Sequence, residues 1–262
     1  MAFLQTSFFS EALGLHVAAN VLLPVAKVPA REREIPVLYL LHGYSDDHTA
    51  WMRQTSIERY AATLAPDFAV IMPAVDHSFY TDRKMGNRYW TFVSSELPAV
   101  MGSMFPLSAR REDNYVAGLS MGGYGTLKLA LNFPERFRAG AALSAAANMG
   151  EALRREGNDP FNDELRQTFG SYEDYQGSCN DLFHLASVVA KGPVQPDLYI
   201  ACGDKDFLYQ DNLKFLAHVQ ALGLPVRWES TPGREHTWDY WDEQIQVALK
   251  WFVKLRKKAK EI

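Results

Sequence analysis

The chain has 262 residues, of which 47% are hydrophobic and 22% charged. A chain of that length can bury roughly three quarters of its unfolded surface, which excludes disorder, collagen and low-complexity fibre. Lys plus Arg number 27 against 31 Asp plus Glu, a formal charge of -4, so there is no basic field to hold a polyanion and nucleic acid is not expected as a partner.

From the N-terminus, Leu4 to Phe9 and Leu15 to Leu23 are apolar-rich runs split by Glu-Ala-Leu-Gly, which predicts a hairpin. Met1 to Leu15 has no Lys or Arg and contains Glu11, unlike a secretory signal. Apolar runs such as Val37 to Leu41 fall far short of the ~18 residues that span a bilayer, so a soluble, cytoplasmic protein without a membrane partner is expected. Pro24 to Glu34 reads as a polar connection.

Ile35 to Leu41 is a short continuous apolar run, the mark of a strand buried on both faces, and it ends at His42-Gly43. Similar strands are predicted at Phe68 to Met72, Tyr115 to Leu119, Ala139 to Leu143 and Leu198 to Cys202. Between them, helices are predicted over Ala50 to Leu64, Gly122 to Asn132 and Leu213 to Leu222, the last ended by Gly223. A final helix runs from Trp238, with Trp241, Ile245, Ala248, Phe252 and Leu255 on one face. Strands alternating with helices predict a single α/β domain over residues 1–262, a mostly parallel sheet covered on both sides.

Two polar, aromatic stretches interrupt the alternation. Asp76 to Tyr89 is a long irregular loop, and Asn148 to Gly192, with a helical piece at Asp181 to Ala190, reads as a small cap over the C-terminal edge of the sheet. Cys179 and Cys202 are too few for a disulfide framework and read as two buried free thiols. The basic tail Lys254 to Lys260 reads as a solvated helix end.

Gly118-Leu119-Ser120-Met121-Gly122 is a G-x-S-x-G pattern set between a predicted strand and a predicted helix. Such a sharp turn forces the serine into a strained conformation, in which side chains two before and two after it would collide. Gly118 and Gly122 give that clearance, and Ser120 Oγ projects above the sheet. A serine hydroxyl is a poor nucleophile at neutral pH and needs a base, with an acid to fix that base's tautomer. Downstream strand ends offer Asp204 and Asp206, then His236, and Ser, Asp, His is the chain order of α/β-hydrolases. Asp206 is preferred to Asp204 because it sits deeper in its loop, before the apolar Phe207-Leu208; Glu235 is a third candidate.

An oxyanion needs donors, here the backbone N–H groups of Met121, after the nucleophile, and Tyr44, after Leu40-Leu41-His42-Gly43. The oxyanion loop already accounts for His42-Gly43, and no H-E-x-x-H helix accompanies the cluster His42, Asp46, Asp47, His48, so neither a metal nor an organic cofactor is expected. Trp51, Tyr80, Tyr89, Phe207 and Trp238 are candidates for shaping the substrate pocket. Arg83, Lys84 and Arg88 read as a solvated loop.

LLHGYSDDHTAW (40–51), MPAVDHSFYTDRKMGNRYW (72–90), GLSMGGYGTLKLAL (118–131), CGDKDFLY (202–209) and GREHTWDYW (233–241) together resemble, in order, the tributyrin esterase or acetylesterase branch of the esterase D family. That group is related to S-formylglutathione hydrolases and mycolyltransferases. The resemblance implies an α/β-hydrolase fold and a serine carboxylesterase acting on short-chain acyl esters. It implies Ser120, Asp206 and His236 as triad, the N–H groups of Tyr44 and Met121 as oxyanion hole, and the self-association common among related esterases. S-formylglutathione hydrolases usually carry a cysteine soon after the HG; Ser45-Asp46-Asp47 stands here and favours oxygen esters over glutathione thioesters. A thioesterase, feruloyl esterase or acyltransferase remains an alternative, and a non-catalytic hydrolase-fold binding protein is the least expected reading.

Overall fold

A computed structural model describes residues 1–25, 34–155 and 159–259. Strands β1 (Ala2–Ser10) and β2 (Leu15–Leu23) pair antiparallel over their full length and close through Glu11 to Gly14. The other strands are β3 (Val37–Leu41), β4 (Ala69–Pro73), β5 (Asn114–Leu119), β6 (Ala139–Leu143), β7 (Asp197–Gly203) and β8 (Val226–Thr231). Among the described residues these eight form one sheet in the order β1-β2-β4-β3-β5-β6-β7-β8, parallel from β4 onward. The predicted connection Pro24 to Glu34 lies, from 26 to 33, outside the described residues.

Every residue of β3, β4, β5 and β6 is buried, which is why these strands read as continuous rather than alternating apolar runs. On β3, Val37, Tyr39 and Leu41 enter one core layer while Leu38 and Leu40 enter the other. The first layer packs under α5 (Met121–Asn132), α9 (Leu182–Val189) and α10 (Tyr209–Ala221), with Tyr124, Leu127 and Phe215 buried there. The second packs under α1 (Ala50–Gln54), α2 (Ile57–Leu64) and α11 (Trp238–Ala259), where Trp241, Ile245, Ala248 and Phe252 form the expected apolar face.

The predicted helix Ala50 to Leu64 is two helices. Thr55 is extended, its Oγ1 donates to Trp51 O at 2.6 Å and accepts from Ile57 N–H at 3.1 Å, so a side chain takes over backbone bonding at the break. Tyr89 to Met104, for which no helix is predicted, is helical throughout as α3 (Tyr89–Thr91), a π-helical turn (Phe92–Glu96) and α4 (Leu97–Met104). Pro98, which has no N–H to give the preceding turn, stands where the π-helical turn passes into α4, and Ser94 O, four residues before it, accepts instead from the Arg136 guanidinium.

Between β6 and β7 lie α6 (Met149–Leu153), α7 (Pro160–Phe169), α8 (Tyr172–Tyr175) and α9. Both cysteines are free; Cys202 is buried, but Cys179 is exposed rather than buried, because it sits in a polar turn ahead of α9. Among the described residues no helix is long and apolar enough to cross a membrane.

Candidate active site

Ser120 stands between the last residue of β5 and the first of α5, at φ 54 and ψ -116. This region is disfavoured for a residue with a Cβ, so the surroundings must hold it. They do so through glycines: a Cβ on Gly118 would lie 2.5 Å from Gly122 O, and one on Gly122 would lie 2.5 Å from Leu41 O and 2.6 Å from His42 O. Helix α5 is thereby pressed onto the end of β3. Ser120 N–H donates to Leu143 O at 2.9 Å, and Ser120 O accepts from Tyr124 N–H at 3.0 Å and Ala146 N–H at 3.1 Å.

Three side chains from separate loops meet above this turn. His236 Nε2 is 3.0 Å from Ser120 Oγ, and His236 Nδ1 is 2.8 Å from Asp206 Oδ2. With Nδ1–H donating to the carboxylate, Nε2 is left to accept the serine proton. The Asp206 side chain is wholly enclosed, and its Oδ1 accepts from Leu208 N–H at 2.8 Å. Burial alone would raise its carboxyl, but hydrogen bonds from His236, Ser144 and the Leu208 N–H outweigh it and hold Asp206 below the usual carboxylate range. The His236 ring packs against Trp241 at 4.8 Å and Phe207 at 4.6 Å.

Asp204 does a different job. Its Oδ1 accepts from Gly233 N–H at 2.7 Å and its own N–H donates to Thr231 O at 3.1 Å, tying the loop that carries Asp206 to the loop that carries His236. Glu235 is exposed beside His236.

Gly43, Tyr44, Ser120 and Met121 share the wall of a cavity of about 640 Å³. Met121 opens α5, so its N–H has no intrahelical acceptor and is available to an oxyanion. The Tyr44 hydroxyl donates to Glu164 on α7, its ring stacks on His77 at 4.1 Å, and the Glu164 carboxylate also lies 3.7 Å from Arg83. Burial first, then the Glu164 contact, push the Tyr44 phenol upward and keep it protonated.

Of the five aromatics expected at the pocket, Phe207 and Trp238 line it. Trp51, Tyr80 and Tyr89 do not, and their assignment is corrected. Trp51 is 1% exposed, donates from Nε1 to Leu41 O at 3.0 Å and buttresses Trp238 from below. Tyr80 is fully buried, its hydroxyl donating to His42 O at 2.9 Å and its ring filling the space that a Cβ on Gly125 would occupy. Tyr89 packs into the core against Phe92. The apolar wall comes instead from Phe79, Ala146, Met149, Ala152, Phe161 and Leu208. Phe161 has a readable signal, following the helix start Asp159-Pro160, whereas Ala146 and Ala152 carry none. Lys84, which pairs with Asp174, and Arg88 are exposed as expected of a solvated loop, whereas Arg83 is only 18% exposed and lies 3.7 Å from Glu164.

His42 is not available as a ligand. Its Nδ1–H donates to Gly43 O at 2.7 Å, its Nε2 accepts from Val75 N–H at 3.1 Å, and burial lowers its pKa to about 4, leaving a neutral ring with both nitrogens engaged. Among the described residues no group of three His, Cys, Asp or Glu is placed to hold a metal ion.

Comparison with known proteins gives a consistent set of relatives. The family model described as "Putative esterase" matches residues 10–252. An acetyl esterase of Caldicellulosiruptor saccharolyticus is 31% identical over 269 residues, covering 97% of this chain and 99% of that protein. The fluorophosphonate-binding serine hydrolase F of Staphylococcus aureus superposes with a TM-score of 0.85 at 37% identity, covering 96% of this chain and 98% of its own. An S-formylglutathione hydrolase from the same species gives 0.83 at 37% identity, with the same coverage.

Proposed function

Since the chain belongs to the putative esterase family, has the α/β-hydrolase fold and is a serine carboxylesterase, we propose that Ser120, Asp206 and His236 form its catalytic triad and that short-chain acyl esters, acetyl to butyryl, are its substrates. The observation that carries this reading is the continuous line from Ser120 Oγ through His236 to Asp206, at 3.0 and 2.8 Å.

Ser120 Oγ attacks the ester carbonyl carbon as His236 Nε2 takes its proton. Asp206 holds the ring in the Nδ1–H tautomer and stabilises the imidazolium. The Tyr44 and Met121 N–H groups receive the tetrahedral oxyanion. Collapse breaks the bond to the alcohol, which leaves with the proton from His236. Water then attacks the acyl-enzyme with His236 again as base, releasing the acid and restoring Ser120. Phe207 and Trp238 flank the mouth of the cavity, and α6 and α7 act as a cap whose Met149, Ala152 and Phe161 wall it.

The test is kcat/KM on p-nitrophenyl acetate, butyrate, octanoate and decanoate, with Ser120→Ala alongside. Expected are a maximum at acetate or butyrate and a loss of roughly 10⁴-fold or more in the variant. Activity surviving Ser120→Ala defeats the triad assignment, and a long-chain maximum defeats the substrate class. The S-formylglutathione hydrolase relative, 37% identical over nearly the whole chain, favours a second reading as a thioesterase. Competing S-formylglutathione against p-nitrophenyl acetate decides between the two. A cytoplasmic location and self-association belong to the same proposal, tested by cell fractionation and sedimentation.

A further inference from the structure

Ser144 directly follows β6, is fully buried, and has φ 47. Its N–H donates to Ala201 O at 2.7 Å, which fastens this strained residue to β7 just ahead of the loop bearing Asp206. Its Oγ accepts a hydrogen bond from Trp241 Nε1 at 3.1 Å. An indole N–H only donates, so the hydroxyl must accept there and its own hydrogen must point elsewhere. Two groups face it, the Cys202 thiol and the Asp206 carboxylate, and the carboxylate is the stronger acceptor; it has no exposed surface and otherwise accepts from His236 and the Leu208 N–H. A glycine would occupy φ 47 without strain, so a serine held there points to a need for the hydroxyl itself.

We propose that Ser144 is a positioning residue of the esterase reaction: Trp241 Nε1–H orients its hydroxyl to donate to Asp206, which fixes that carboxylate beneath His236. This rests on the triad reading above. Ser144 touches neither substrate nor the reacting atoms and acts through Asp206. When the hydroxyl is removed, the enclosed carboxylate loses a donor and its charge acts undiminished on the proton taken up by the base. The acid limb of kcat/KM then moves to higher pH. Two other titratable groups facing this carboxylate, the Cys202 thiol on β7 and the Tyr240 phenol on α11, are both pushed up by burial and stay neutral over that range.

The experiment is the pH profile of kcat/KM, with thermal midpoints, for wild type, Ser144→Ala, Ser144→Gly and Trp241→Phe, with Ser120→Ala as control. Both Ser144 variants are expected to lose about 5- to 20-fold in kcat and to shift the acid limb upward by about half a pH unit. Ser144→Gly should do so with a thermal midpoint above that of Ser144→Ala, because both leave the Trp241 N–H unpaired but only glycine relieves the backbone strain. Trp241→Phe frees the hydroxyl to rotate and shifts the limb the same way, and combining it with Ser144→Ala shifts it no further than Ser144→Ala alone. A wild-type profile in both Ser144 variants, a wild-type kcat in Ser144→Gly, or full additivity with Trp241→Phe overturns the proposal. If Ser120→Ala remains active, the triad reading has failed instead.

Discussion

Gly203 and Arg234 are pressed together so tightly that a Cβ on Gly203 would lie 2.5 Å from the Arg234 carbonyl carbon and closer still to its oxygen. The same carbonyl accepts from Lys205 N–H at 3.0 Å. This contact sets the loop after β7 against the loop after β8, and so lets Asp206 and His236 meet. Gly203→Ala is expected to push the loops apart, lowering kcat/KM by about 10²-fold through misplacement and stability by about 1–3 kcal/mol through overpacking. Steady-state kinetics and urea denaturation check the two effects; an unchanged kcat/KM would mean that the loops adjust without it.

Asp204 and Asp206, two residues apart, should separate cleanly by kinetics. Asp206→Asn is expected to cost about 10³- to 10⁴-fold in kcat, since the amide cannot hold His236 in the productive tautomer. Asp204→Ala removes only the acceptor of Gly233 N–H and is expected to cost about 10-fold in kcat and about 1 kcal/mol of stability. The opposite ranking would exchange their roles.

Tyr44 is anchored by its hydroxyl to Glu164, so the oxyanion loop and α7 are fastened side by side. Tyr44→Phe retains the ring on His77 but releases the anchor. Its kcat is expected to fall about fivefold, well short of the 10²- to 10³-fold that removal of a whole oxyanion donor costs. KM should change less than kcat, because the backbone donor matters most once charge develops on the substrate oxygen.

Lys128 on α5 is completely buried, with Nζ donating to Tyr80 O at 2.8 Å and Thr81 Oγ1 at 2.9 Å and lying 4.2 Å from the centre of the Trp90 ring. Burial lowers its ammonium from 10.5 to about 7, opposed by the nearby Cys179 and Asp82 side chains, which favour the charge. With the folded value below the unfolded one, unfolding takes up a proton at Lys128 between about 7 and 10.5, so the contribution of Lys128 to stability rises with pH across that window and is flat outside it. Relative to Lys128→Met, the unfolding free energy should therefore grow from neutral pH to the upper end of the window. A constant difference, measured by denaturant titration at both ends, would mean that Lys128 stays charged in the fold.

The strands were readable because a strand covered on both faces must be apolar at every position, and the all-buried β3, β4, β5 and β6 obey this. The serine turn was readable because its glycines answer a local steric demand. The helical stretch from Tyr89 to Met104 was not, because Ser94-Ser95, Pro98 and Gly102 dilute its helical signal, and the Ser94 carbonyl that Pro98 leaves free is taken up by Arg136, distant in the chain. The pocket was half readable: Phe207 and Trp238 adjoin residues already marked by the chemistry, whereas α6 and α7 reach the cavity from a stretch with no regular pattern.

Phe79 and Tyr80 mark the boundary between the two kinds of knowledge. They are adjacent in the chain, both at positive φ, 49 and 51, yet Phe79 faces the cavity while Tyr80 is sealed beneath α5. From its sequence alone, the chain's layered α/β architecture and the strand ends that present serine, carboxylate and imidazole were determined, because burial and sharp turns impose local patterns on residue type. Which aromatics line the cavity, and that Asp204 ties the loops together while Asp206 bonds His236, only the tertiary structure decided. In irregular loops no period fixes where a side chain points, and contacts between residues far apart in the chain set its direction.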